Sequence, residues 1–215
     1  MKQENKELKK RIEVLEKEVN ELKKMMNVNI NKIKMGNKSV IMKENEFDMI
    51  HLAIKSRLNK EVKELKKLYQ ATIDGDGAIN FHSKCNGIPN TLVLIKSAGN
   101  RRFGGFTTVQ WSSPSDYEYK VDQNSFLFSL DKQKIYSNKN NRGIVNYKDC
   151  GPGFGNCGVW EMYIGKHGIQ EKLLLTSESD SNCSYNYNGD NNALSEGGKG
   201  YWICALEYEV FQVIF

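Results

Sequence analysis

Asn86-Gly87-Ile88-Pro89, followed by Thr91-Leu92-Val93-Leu94-Ile95-Lys96-Ser97, decides the fold. Asn86, Gly87 and Pro89 are turn formers. The seven after them form an apolar, β-branched run of strand length. Downstream the apolar runs stay equally short. Strands are expected at 91–97, 104–111, 125–130, 158–164, 172–176 and 201–214, divided by Gly-, Asn- and Ser-rich loops, of which 177–200 is the longest. Few helices and many short strands predict a sheet-dominated α+β domain, built as a sandwich.

Upstream the periodicity changes. Asp74-Gly75-Asp76-Gly77 punctuates the chain before a short helical pattern (Ile79, Phe81, His82, Cys85) that Asp76 would cap. Residues 65–72 read equally as helix or strand. An amphipathic helix is expected over 45–64, with Asn45 as N-cap and Phe47, Ile50, Ile54, Leu58 and Val62 on one face. Residues 36–44 read as a linker.

Residues 1–35 are a charged heptad repeat. Ile12, Val19, Met26 and Ile33 recur every seven residues, and Leu8, Leu15 and Leu22 occupy the second seam position. β-branched side chains at a with Leu at d favour a parallel two-stranded coiled coil. In such a pair each g residue meets the next e residue of the other copy. The meetings are Glu4 with Lys9, Arg11 with Glu16 and Glu18 with Lys23, all opposite in sign. About 30 helical residues would make a rod of roughly 45 Å. The expected organisation is therefore a coiled coil (1–35), a linker (36–44), an amphipathic helix (45–64) and a sheet domain (65–215).

The net charge of +5 follows this division. Residues 1–70 carry 18 Lys and Arg against 11 Asp and Glu, whereas residues 71–215 carry 13 against 15. The basic excess lies on the helical segment, interleaved with Glu as on a solvated face, which argues against nucleic-acid binding. No run approaches 18 apolar residues, so no membrane insertion is expected. The N-terminus lacks an apolar leader, and the five cysteines include no C-x-x-C pair. A reduced, cytoplasmic protein without zinc or other cofactor is the expectation.

The chemical motifs are thin. Gly153-Phe154-Gly155-Asn156-Cys157-Gly158 satisfies G-x-G-x-x-G but precedes a strand pattern instead of a helix, so it reads as a tight loop. The Asp74 run lacks the sixth-position Gly and twelfth-position Glu of a calcium loop, leaving no metal site. Cys85 near His82, or Cys150 with Cys157, finds no base or oxyanion hole, and three histidines are too few for a convincing triad. Glu207 and Glu209 are two apart in a strand, so they would share a face about 6.5–7 Å from each other. Cys204, Leu206, Tyr208 and Val210 would then form the core face. Such a carboxylate pair suits acid–base work around a water, an exposed strand face, or a surface for a basic partner. No catalytic residue is assigned.

Leu68-Tyr69, Asp74-Gly75, Phe81 with Cys85, residues 91–96, Phe103-Gly104-Gly105-Phe106, Trp111, residues 126–130, residues 151–155, Glu161-Met162-Tyr163-Ile164 and Glu209-Val210-Phe211 together resemble the TLDc domain family. The resemblance runs through residues 65–215 and leaves the heptads outside. It implies a two-sheet β-sandwich flanked by short helices, and kinship with oxidation-resistance proteins. It further implies a non-enzymatic module that binds the soluble sector of the vacuolar-type proton-pumping ATPase, recruited through the pump to acidic organelles. Gly104 and Gly105 match the family's structural glycine pair, and Glu209 its closing-strand acid. Asp74, Glu161, Glu207 and Glu209 are the partner-binding candidates. Leu8, Ile12, Leu15, Val19, Leu22 and Met26 are the dimer seam. The alternatives are an enzyme using Glu207 and Glu209, and a scaffold whose coiled coil carries the function.

Overall fold

The computed structural model describes residues 2–30, 34–35, 38–139, 142–156, 159–165, 172–175, 184–190, 192–194 and 201–215. The chain divides into two units, Met1–Lys34 and Met35–Phe215.

The first unit is a single helix, α1 (Lys2–Ile30). Its seam residues Leu8, Ile12, Leu15, Val19 and Leu22 are 46–60% exposed, because a lone helix has nothing with which to cover an apolar stripe. The side chain of Met26 lies outside the described residues.

The second unit contains α2 (Phe47–Leu58), α3 (Ala71–Asp74), α4 (Ala78–Cys85) and short strands. The strands in chain order are β1 (Lys34–Met35, where the units join), β2 (Glu64–Gln70), β3 (Thr91–Ser97), β4 (Arg102–Thr107), β5 (Glu118–Val121), β6 (Phe126–Ser129), β7 (Lys134–Ser137) and β8 (Arg142–Asn146). They continue with β9 (Gly153–Asn156), β10 (Val159–Tyr163), β11 (Lys172–Leu175) and β12 (Tyr201–Ile214). One antiparallel sheet has the order β2-β12-β3-β4-β6-β7, and the other runs β5-β8-β9-β10-β11-β12. The 14-residue β12 belongs to both. Its start pairs with β11 and its remainder with β2 and β3.

The inner faces of the two sheets share one core containing Val93, Phe103, Leu127, Phe154, Met162, Tyr208 and Val210. Their closest approach explains one glycine of the Gly104-Gly105 pair. A Cβ added to Gly105 would stand 2.7 Å from the Phe154 ring of the facing sheet, where no side chain fits. The Trp111 indole lies edge-on to both Phe81 and Phe154 and donates its N–H to Thr91 Oγ1 at 2.8 Å. That bond lets a large polar-tipped ring sit at the centre of the core.

Several sequence expectations are corrected here. The amphipathic helix ends at Leu58, because Asn59 adopts a left-handed conformation (φ 52°) and closes the last turn on the Lys55 carbonyl. Val62 is buried, but from the extended segment that leads into β2. A 3₁₀ turn (Glu44–Glu46) precedes the helix, so Glu46 and not Asn45 is the N-cap of α2, while its carboxylate accepts the Lys43 N–H at 2.8 Å. Gly77, not Asp76, is the N-cap of α4. The ambiguous stretch 65–72 divides into the end of β2 and the start of α3. Gly153-Phe154-Gly155 belongs to a strand, β9, not to a tight loop, although Gly155 does carry a positive φ of 106°. Strands β5, β7 and β8 were not anticipated: their sequences EYKV, KIYS and RGIVN are too short and too polar to stand out.

Candidate functional site

Glu207 and Glu209 occupy β12 where the expected alternation breaks. The pairing of β12 with β3 slips between Ala205 and Glu207, so Leu206 is an extra, bulged residue. One inserted residue exchanges the two faces of a strand upstream of it. Ala205, Tyr208 and Val210 therefore point into the core, while Cys204 and Leu206, expected there, are exposed. The two glutamates share the opposite face as predicted. That face is not solvated. Glu209 is fully buried and Glu207 nearly so.

What covers Glu209 is the segment read from sequence as a linker. Residues 38–42 lie over the outer face of β12 as a strap. Ser39 Oγ donates to Glu209 Oε2, and the Val40 N–H donates to Oε1 at 3.2 Å. The same hydroxyl accepts the Ile41 and Met42 N–H groups at 3.0 and 2.9 Å, which turns the strap toward the 3₁₀ segment. Lys67 on β2 completes the clasp. Its ammonium lies 2.5 Å from Glu209 Oε1, and it also donates to the Lys38 carbonyl at 3.0 Å and to Gln70 Oε1 at 2.8 Å. Alternation along β2 puts Lys67 beside β12, and its aliphatic stem lets the charge reach Glu209 beneath the strap.

Glu207 is held by neutral donors. Its carboxylate accepts the Thr72 hydroxyl, the Thr72 N–H at 3.2 Å, Gln70 Nε2 at 3.0 Å and the Tyr208 N–H at 3.0 Å. The first two come from the opening turn of α3, so Glu207 acts as that helix's N-terminal cap from a neighbouring strand. Asp74 closes the same turn by accepting the Gln70 N–H at 2.8 Å, and it pairs with Lys84 at 3.0 Å. Burial pushes the Asp74 carboxyl up, but Lys84 and the Gln70 N–H outweigh it and hold it below its ordinary value. Gln70 thus joins Asp74, Glu207, Lys67 and Glu209 into one network. Sequence reasoning named the three acids but missed Lys67, Gln70, Thr72 and Ser39, which carry no motif.

A second clasp secures the far end of the strap. Arg102 forms a two-pronged pair with Glu46, both contacts at 2.8 Å, and donates to Asp131 and to the Ile41 carbonyl. Arg102 thus docks the strap and the 3₁₀ turn to the sheet. An open groove of about 580 Å³ lies beside it, lined by residues 38–44, Lys96, Asn100 and Arg102, and neither Glu207 nor Glu209 lines it.

Glu161 is brought to none of this. On β10 it is fully buried beside Gly155 and accepts the Tyr185 N–H at 2.8 Å. Its Oε2 occupies the space a Gly155 Cβ would need, which is why that position has no side chain. Burial pushes its carboxyl up to about 8, against the opposing pull of the Tyr185 and Ser184 donors. A neutral acid there pins the 184–185 segment to β10.

Three of the four partner-binding candidates, Glu161, Glu207 and Glu209, are therefore interior groups. They cannot meet a partner directly in this conformation, because the strap, α3 and the 184–185 segment already cover them. Asp74 alone keeps a partly exposed side chain. The thiol candidates are not brought to a base. Burial pushes the Cys85 thiol up, and the His82 ring faces Asn86 and the Tyr147 carbonyl instead. Cys150 contacts the Tyr163 hydroxyl, whereas Cys157 and Cys183 lie outside the described residues. Among the described residues no group of three or more ligand-type side chains could hold a metal ion. No described helix is long and apolar enough to cross a membrane.

No curated protein matches the chain. The TLDc domain family matches residues 35–214, which take in the strap, α2 and both sheets as well as the span identified from its motifs. The chain belongs to the TLDc domain family.

Proposed function

We propose that this chain is a non-enzymatic interaction module of the oxidation-resistance type, which docks on the soluble sector of a vacuolar-type proton-pumping ATPase and regulates its assembly. It would act in the cytoplasm and reach acidic organelles through the pump. Family membership supports the choice of partner. The observation that favours an interaction role is the use made of the acids: Glu207 and Glu209 accept seven donors between them, and every donor belongs to the domain's own strap, strands or α3. The enzyme alternative would have to strip those donors before either carboxylate could move a proton for a substrate.

The test adds purified protein to the pump and follows ATP hydrolysis together with release of the soluble sector. A dose-dependent change in both, reproduced by residues 35–215 alone, supports the reading. Binding retained only by residues 1–34 would transfer the function to the helix and favour the scaffold alternative. No binding and unchanged hydrolysis would withdraw the pump as partner.

A further inference from the structure

We infer that the uncovered face of α1 is the interface for a second copy of this chain, paired parallel and in register as a two-stranded coiled coil. This goes beyond the pump reading and stands or falls separately from it. The face is a continuous stripe. Leu8, Ile12, Leu15, Val19 and Leu22 follow one another at intervals of four and three along one uninterrupted helix, and each is about half exposed. That spacing advances along a helix so as to keep one seam toward a partner supercoiled with it. A stripe of five such side chains left about half in water forgoes the hydrophobic gain that a covering partner would supply.

The charges beside the stripe select the occupant. Position g holds Glu4, Arg11 and Glu18, and position e holds Lys9, Glu16 and Lys23. In a parallel pair the g residue of one copy meets the e residue five places on in the other, so Arg11 meets Glu16 twice, once on each side of the seam. Both flanking meetings, Glu4 with Lys9 and Glu18 with Lys23, are also opposite in sign. The stripe is thus self-complementary, which is what a two-fold interface requires. Ile12 and Val19 at a with Leu8, Leu15 and Leu22 at d favour two strands over three or four. The consequence is a two-headed molecule. A second docking event on the same target then becomes intramolecular, provided that both sites can be engaged together.

The test exploits the register. Arg11→Glu and Glu16→Arg each convert the two central meetings into like-charge contacts in their own pairs. Mixing the two variants restores both meetings in the heterodimer, but only if the helices are parallel and in register. In an antiparallel pair Glu16 faces Lys9 and Arg11 faces Glu18, so mixing restores nothing. The full chain should sediment as a dimer at tens of micromolar. Each variant should dimerise less tightly, and the mixture should form a heterodimer roughly tenfold tighter than either variant alone, since each pair contributes up to about 1 kcal/mol. Leu15→Asp, which leaves residues 35–215 unaltered, should give a monomer. A monomeric or trimeric wild-type chain, a mixture no tighter than its parts, or a Leu15→Asp chain that still dimerises would each overturn the inference.

Discussion

Glu209 and Glu161 are equally buried, both at 0% exposure, yet the fold treats them in opposite ways. Glu209 meets a lysine ammonium and two donors from the strap. Glu161 accepts the Tyr185 N–H beside Gly155, and burial raises its carboxyl to about 8. Burial is the same for both, so what differs is the partner that the neighbouring segments deliver to each. β2 brings Lys67 to hydrogen-bonding distance of Glu209, whereas the pull of Lys139 on Glu161 does not outweigh the effect of burial. The first acid ties the strap down through the Ser39 and Val40 donors beside an ion pair with Lys67. The second holds the 184–185 segment through the Tyr185 N–H, with its carboxyl raised by burial.

Removing the cation should produce the largest effect. Lys67→Met leaves Glu209 buried without its counter-charge and should cost about 3–5 kcal/mol, read as a lower urea midpoint at neutral pH. Adding Glu209→Gln to that variant should recover part of the loss. A Lys67→Met protein as stable as wild type would show that Glu209 is not held as an ion pair. The pH response of Glu161 comes next. Its folded value lies above the unfolded value of about 4.5, so between these pH values the folded state holds a proton that the unfolded state has released. Stability should fall as pH rises from about 4.5 to 8, by up to about 1.4 kcal/mol per pH unit from this group. Glu161→Gln should flatten that segment of a stability–pH curve, whereas an unchanged slope would mean that the group is ionised in the folded state. The smallest effect is expected at the strap. Ser39→Ala removes one hydroxyl from a charged acceptor and the turn it organises, for about 1.5–3 kcal/mol. Proteolysis after residue 38 should accelerate in parallel, because a strap that opens locally exposes its backbone. Equal loss of stability without faster cleavage would place Ser39's contribution in the sheet instead.

The glutamate pair shows how far a sequence can be read and where reading stops. That Glu207 and Glu209 share a face of a strand follows from a period of two, and it was legible. Whether that face is wet or dry was not, because the answer lies some 170 residues away in a strap whose composition looks like a linker. The bulge at Leu206 was equally invisible: an inserted residue leaves no compositional mark, yet it moved Cys204 and Leu206 out of the core. Arg102 and Lys67 were single cations in unremarkable contexts, and only register and topology gave them partners. The strands at 91–97 and 201–214, by contrast, announce themselves through β-branched, aromatic and apolar residues in runs that need no distant partner to be recognised.

By itself the sequence determined the class of structure and the family. Runs of strand length between turn formers, a period of seven in residues 1–35, and the ordered TLDc motifs are local or additive signals. The tertiary structure alone decided which charges are buried, what covers them and where the domain begins. The physical reason is that burial and ion pairing depend on contacts between residues far apart in the chain. No local pattern in residues 36–44 records that β12, at the other end of the domain, will present Glu209 to Ser39.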